Sequence, residues 1–263
     1  MHRADYIEHL TAHGLGAKTI RLYVRAVERA HQALGPLEDV TATGLASYAD
    51  GLAAGYSTRR HLRTALRAYW SMLGVDGPLQ AIRVPPKPRS RCLALDEDDA
   101  RAMIKTAVGW YPEGLAVLLA MYLALRSSEI AAAHMDRFAD NLTWYTVTGK
   151  RDITATLPVH PTLISEIRAA GVTGWVFPGY YGREHVTPQT IWNWIRLAAE
   201  EAGVDDRIWP HRLRHTALAT ANDNTGDLRA VADFARHRDV SVTMIYTRTT
   251  ERNLRRVSAA LEY

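Results

Sequence analysis

Apolar residues recur every three or four positions through the N-terminal third of the chain, and this spacing predicts amphipathic helices at 3–13, 17–34, 43–54 and 57–73. Gly14, Gly16, Gly35-Pro36 and Gly55 punctuate them. On a helical wheel, Ile20, Tyr23, Val24, Val27 and Leu34 share one face of the second helix, with Lys18, Arg21, Arg25 and Arg29 roughly opposite. In the fourth, Leu62, Leu66, Tyr69 and Leu73 form the apolar stripe, and Arg59, Arg60, Arg63 and Arg67 lie about a quarter-turn away. The pattern breaks at 83–91, which holds three prolines and no acidic residue, so it reads as an extended linker.

Beyond the linker, Leu95-Asp96-Glu97-Asp98-Asp99 reads as a helix start, with Asp96 as N-cap and acids in the first turn. The apolar run 115–125 predicts a buried helix that delivers Arg126 at its end. Segments 142–148 and 153–158 flank Gly149-Lys150-Arg151-Asp152 as a β-hairpin. Helices are predicted at 161–170, 188–202, 211–221 and 227–235. The expected fold is mainly α with a small antiparallel β-sheet, in two domains: a helical one at 1–82 and a larger one at 92–263.

A chain of 263 residues can bury two cores of this kind. Cys92 is the only cysteine, which excludes an intramolecular disulfide framework and suits a reducing cytosol. The N-terminal residues lack the apolar core of a secretory signal, and the run 115–125 is too short to span a bilayer, so no membrane association is expected. The net charge of +4 becomes informative through its distribution. Residues 1–88 carry 11 Lys and Arg against 7 Asp and Glu, whereas 89–263 carry 21 of each. The excess therefore sits in the N-terminal third, where two helices expose cations with scarcely an acid between them; a phosphate-backbone footprint is expected there.

The candidate chemistry lies in the C-terminal part. Tyr246 follows Arg126, Lys150, the pair His211 and Arg214 in Pro210-His211-Arg212-Leu213-Arg214-His215-Thr216, and His237 in Arg236-His237-Arg238-Asp239. A phenol has a pKa of about 10, so it is a poor nucleophile at neutral pH unless positive charge and a base surround it. Guanidinium forks bind phosphate oxygens bidentately, and the set fits the holding of a phosphodiester under attack by Tyr246. His211 and His215, spaced i and i+4, could instead be metal ligands, but no carboxylate stands between them and the guanidiniums of Arg212 and Arg214 would repel a dication. No metal is expected.

In order and spacing these residues resemble the tyrosine recombinases, the phage-integrase family. The resemblance is strongest at His211–Thr216 and at the nine-residue step from His237 to Tyr246. The chain departs from the family at Ala235-Arg236-His237, where Leu-Gly-His is usual. The resemblance implies that Tyr246 attacks a phosphodiester and forms a 3′-phosphotyrosyl link. Arg126 and Arg214 would then clamp the phosphate, with Glu129 helping to order the site. Lys150 would protonate the leaving 5′ oxygen, His211 would accept the tyrosine proton, and His237 would donate a second hydrogen bond. Lys18, Arg21, Arg25, Arg59, Arg60, Arg63 and Arg67, with Lys87 and Arg89 in the linker, are the candidate contacts to double-stranded DNA.

No cofactor is implied. Family practice further implies a monomer in solution that forms a homotetramer on two core-type DNA sites, with a possible accessory directionality factor, in the cytoplasm of a bacterial host. The chain resembles the compact integrases that lack an arm-binding domain, acting in phage or mobile-element integration and excision. Xer-type chromosome or plasmid resolution is the main alternative; type IB topoisomerase-like relaxation and a DNA-binding regulator without activity are two others. The tail 247–263 carries Leu254, Val257 and Leu261 as one apolar stripe, expected to dock on a neighbouring protomer.

Overall fold

The structure, a computed structural model, describes residues 2–52, 55–87, 94–148, 154–204 and 207–236. The chain divides into two compact units, Met1–Arg89 and Ser90–Tyr263. The smaller unit contains α1 (Arg3–Ala12), α2 (Ala17–Leu34), α3 (Ala42–Gly51) and α4 (Tyr56–Leu73), with short 3-10 turns at Leu37–Asp39 and Leu79–Ala81. The apolar stripes meet as the wheel requires: Val24 and Val27 from α2 and Leu62, Leu66 and Tyr69 from α4 are buried with Tyr6, Leu45 and Trp70. The polar ends of the large aromatics are satisfied, since Tyr6 Oη donates to the Ala65 carbonyl at 2.7 Å and Trp70 Nε1 to that of Leu37 at 3.0 Å. Gly77 lies against the Trp70 indole, where a Cβ would come within 2.0 Å of the ring.

The larger unit is built around α6 (Glu113–Tyr122), whose residues Gly114 to Ala120 are all buried. Around it pack α5 (Glu97–Ala107), α8 (Pro161–Ala170), α9 (Pro188–Glu201) and α10 (Pro210–Thr225). Asp96 caps α5 by accepting the Asp99 N–H at 2.9 Å, and prolines open α8, α9 and α10 in their first turns, where the missing N–H is harmless. Among the described residues the sheet is one antiparallel pair, β1 (Trp144–Thr148) and β2 (Thr154–Pro158), in the register Tyr145↔Leu157 and Val147↔Ala155. Tyr145, Val147 and Leu157 face the core.

The helix predicted over 115–125 ends earlier than its apolar run. α6 stops at Tyr122, Ala124 takes a left-handed conformation with φ 46°, and Arg126 becomes the extended N-cap of a separate five-residue helix, α7 (Ser127–Ala131). Leu123, Ala124 and Leu125 are fully buried all the same, so hydropathy continues through a turn that ends the helix. α11 (Leu228–Ala235) closes the described chain, with Asp227 as its cap. Among the described residues no helix is long and apolar enough to cross a membrane.

Candidate active site

Three elements bring guanidinium groups to the turn between α6 and α7. Arg126 enters from the N-cap of α7. Its backbone N–H and its Nη1 both donate to the Glu129 carboxylate, each at 2.8 Å, which is the reach-back half of a capping box. The Glu129 side chain is only 7% exposed, whereas that of Arg126 is 41% exposed. The carboxylate thus anchors Arg126 from beneath and leaves it open to a ligand.

Arg214 comes from the first turns of α10 and is completely buried. Its Nη1 donates to the carbonyl of Ala124 and its Nη2 to that of Ala235 at 2.5 Å. One turn before Arg214, His211 keeps an exposed edge and meets the His215 ring edge-on, with centroids 4.5 Å apart. Crowding around its ring, then the positive charges of Arg214 and Arg126, hold its imidazole below the ordinary value of 6.5. Because the residue keeps that open edge, the two guanidiniums are the firmer part of the cause. A neutral imidazole at neutral pH can accept a proton.

The third guanidinium belongs to Arg236, which the sequence marks only by its occupying the family's usual glycine position. It ends α11 with φ 58° and ψ 42°, in the left-handed region where a non-glycine residue costs about 1–2 kcal/mol. Its side chain is 3% exposed and its Nη2 donates to Glu129 Oε2 at 2.8 Å and to the Ala124 carbonyl at 3.3 Å. Burial, and after it the opposing effects of Glu129 and Arg126, lowers its pKa from the usual arginine value. Thr216 also escapes notice in the sequence: its hydroxyl accepts the Leu95 N–H at 2.9 Å and donates to the Arg212 carbonyl at 3.0 Å, fixing α10 to the segment before α5.

Arg126, Glu129, His211 and Arg214 are therefore gathered in one place. Lys150, His237, Tyr246 and the tail 247–263 lie outside the described residues, as does Arg89. In the smaller unit, Lys18, Arg21, Arg25, Arg60, Arg67 and Lys87 are exposed. Arg63 is half-buried, and Arg59 pairs with Asp50 at 2.7 Å and donates to the Arg83 carbonyl at 3.3 Å. Arg60 sits over the Tyr56 ring, 5.9 Å from its centroid. Among the described residues no cluster of three or more His, Cys, Asp or Glu side chains is suited to a metal ion.

The chain as a whole has counterparts among known proteins. The family model described as the phage integrase family matches residues 94–253. Tyrosine recombinase XerD of Listeria monocytogenes is 26% identical, with 96% of this chain and 95% of that protein covered. Among solved structures, the XerH site-specific recombinase bound to its difH substrate superposes with a TM-score of 0.73 at 15% identity, covering 97% of this chain and 83% of the other. A lambda integrase tetramer bound to a Holliday junction gives 0.74 at 16% identity, covering 92% and 75%. At such identities these structures speak for the fold, and the family match speaks for descent. The chain belongs to the phage integrase family, the tyrosine site-specific recombinases.

Proposed function

We propose that the protein cuts and rejoins double-stranded DNA at specific sites through a covalent bond to Tyr246. The observation that carries the reading is the convergence of Arg126 and Arg214 from different helices beside the neutral-leaning imidazole of His211. With Arg236 added, three guanidiniums converge here and two of them share the one carboxylate, Glu129, which leaves an excess of positive charge where a phosphate would bind.

The Tyr246 oxygen attacks phosphorus and gives its proton to His211, while Arg126 and Arg214 stabilise the charge that builds on the non-bridging oxygens. The bond to the 5′ oxygen breaks, and Lys150 supplies the proton which that oxygen takes up on leaving. His237 donates a further hydrogen bond to the phosphate. One phosphodiester is exchanged for one 3′-phosphotyrosyl ester, so rejoining by another strand's 5′-hydroxyl needs no nucleotide energy source. The exposed cations of α2 and α4, with Lys87 and Arg89, hold the DNA backbone. Four copies act together on two core-type sites in the cytoplasm of a bacterial host; the four-copy assembly is supported by the lambda integrase tetramer bound to a Holliday junction. An accessory factor would set the direction of exchange.

Integration and excision of a phage or mobile element is the first reading, supported by the match to the phage integrase family. Resolution of chromosomes or plasmids is the second reading, favoured by the full-length similarity to XerD. A nicked suicide substrate carrying the core site tests the chemistry they share. Wild type should leave a protein–DNA adduct on a denaturing gel, and Tyr246→Phe should leave none while binding DNA normally. An adduct that persists in Tyr246→Phe would refute the assignment.

A further inference from the structure

We propose that Arg236 is a positioning residue of the phosphate site, tying Glu129 and the Ala124 turn to the end of α11 and so fixing where Arg126 stands. The proposal rests on the reading that Arg126 holds the scissile phosphate.

The geometry is that of a cross-link. Glu129 Oε1 takes the Arg126 guanidinium, and Oε2 takes both the Arg126 backbone N–H and Arg236 Nη2, each at 2.8 Å. One buried carboxylate therefore bridges two arginines that are far apart in sequence. The same Arg236 nitrogen also reaches the Ala124 carbonyl, which Arg214 shares. Removing Arg236 would leave Glu129 held from one side only. The turn carrying Arg126 would then lose its direct hydrogen bonds from the Arg236 side chain and keep, among the described residues, only apolar packing of Ala124 against Val231 and Ala235 as its direct side-chain contact with α11.

Two further observations separate this from ordinary packing. First, the backbone at Arg236 has φ 58°, a conformation in which glycine is unstrained and arginine is not, so the position alone gives no reason for a long charged side chain. Second, Arg236 Nε and Nη1 are buried with no hydrogen-bond partner among the described residues. Among the described residues Nη2 is the engaged nitrogen, and its contacts are the ones that hold Glu129 and the Ala124 turn. Backbone strain of this kind is tolerated where the contact it secures is needed.

The test compares Arg236→Gly, Arg236→Lys, Glu129→Gln and the double variant Arg236→Gly with Glu129→Gln. Arg236→Gly suits the left-handed backbone, so its melting temperature should stay near that of wild type. Its half-site affinity should stay within about twofold, while single-turnover cleavage at saturating enzyme falls about tenfold to a hundredfold, the scale of a displaced reacting group. Arg236→Lys, which keeps the charge, should recover part of that rate. The double variant should be no slower than the worse single variant, because both act through one carboxylate.

Wild-type cleavage rates in Arg236→Gly, or rate losses that multiply in the double variant, would overturn the proposal. If wild type itself forms no adduct, the recombinase reading has failed, and hydrogen exchange at the Arg126 amide decides the positioning claim separately. That amide should lose protection in Arg236→Gly while amides in the middle of α6 keep theirs. Unchanged protection would refute the cross-link.

Discussion

On α2 and α4, Lys18, Arg21, Arg25 and Arg67 stand exposed and make no ion pair among the described residues. In the larger unit, Arg214 and Arg236 are buried and bonded to backbone carbonyls, and Arg236 and Arg126 share the Glu129 carboxylate. The same guanidinium serves different physics in the two regions. An exposed cation is hydrated and screened, so its contribution to holding a phosphate is modest, salt-dependent and indifferent to ångström placement. A buried guanidinium has given up water, so it acts strongly and in one direction, and a shift of its supports changes what it can do. The smaller unit is thereby suited to affinity and the arginine centre to chemistry.

The largest effects should come from the centre. Arg214→Ala and Arg126→Ala should each lower cleavage by about a hundredfold or more in single-turnover assays, with half-site affinity little changed. A loss confined to affinity would dissolve the contrast between the regions. Lys150→Ala should also cleave poorly, but a substrate whose 5′ oxygen is replaced by sulfur, a better leaving group, should rescue it and should not rescue Arg214→Ala. Equal rescue of both variants would remove Lys150 from the role of acid.

The electrostatics of the centre give a pH prediction of intermediate size. Because the folded pKa of His211 lies below 6.5, its imidazole is neutral at pH 7 and becomes protonated only at lower pH. Cleavage should hold steady as pH falls to that ordinary value and decline below it. The stability linked to this group is present above 6.5 and is lost as pH falls from there through the folded pKa. Titration of the His211 ring signals by NMR should move upward in Arg126→Ala, which removes one of the depressing charges. A His211 that titrates above 6.5 in the wild type would contradict the placement of the guanidiniums. The smallest effect per residue is expected at the cations of α4, the exposed Arg67 and the half-buried Arg63. Arg63→Glu and Arg67→Glu should weaken binding to any duplex and reduce the slope of log affinity against log salt by about one unit per lost phosphate contact.

Much of the fold was legible because its signals are local. Asp96 followed by three acids, Pro161 after His160, Pro188 after Thr187 and the alternation through Tyr145 and Val147 each mark an element by chemistry within a few residues. The end of α6 was not legible, since Leu123, Ala124 and Leu125 stay buried after the helix has stopped and an alanine rather than a glycine makes the turn. The short helix α7 was missed for the same reason. Within the candidate site, the order of motifs pointed to Arg126, Glu129, His211 and Arg214, which converge in space. The part played by Arg236 depends on a contact with Glu129 across 107 positions of sequence, which no local pattern reveals.

One paired measurement addresses the division between affinity and chemistry most directly: half-site affinity and saturated single-turnover cleavage, recorded side by side for Arg214→Ala and for the double variant Arg63→Glu with Arg67→Glu. Arg214→Ala should bind nearly as wild type and fail to cleave. The double variant should bind weakly but cleave at close to the wild-type rate once enough enzyme is added to saturate the site. If both variants lose affinity and saturated cleavage in the same proportion, the two sets of arginines do not divide the work and the account is wrong.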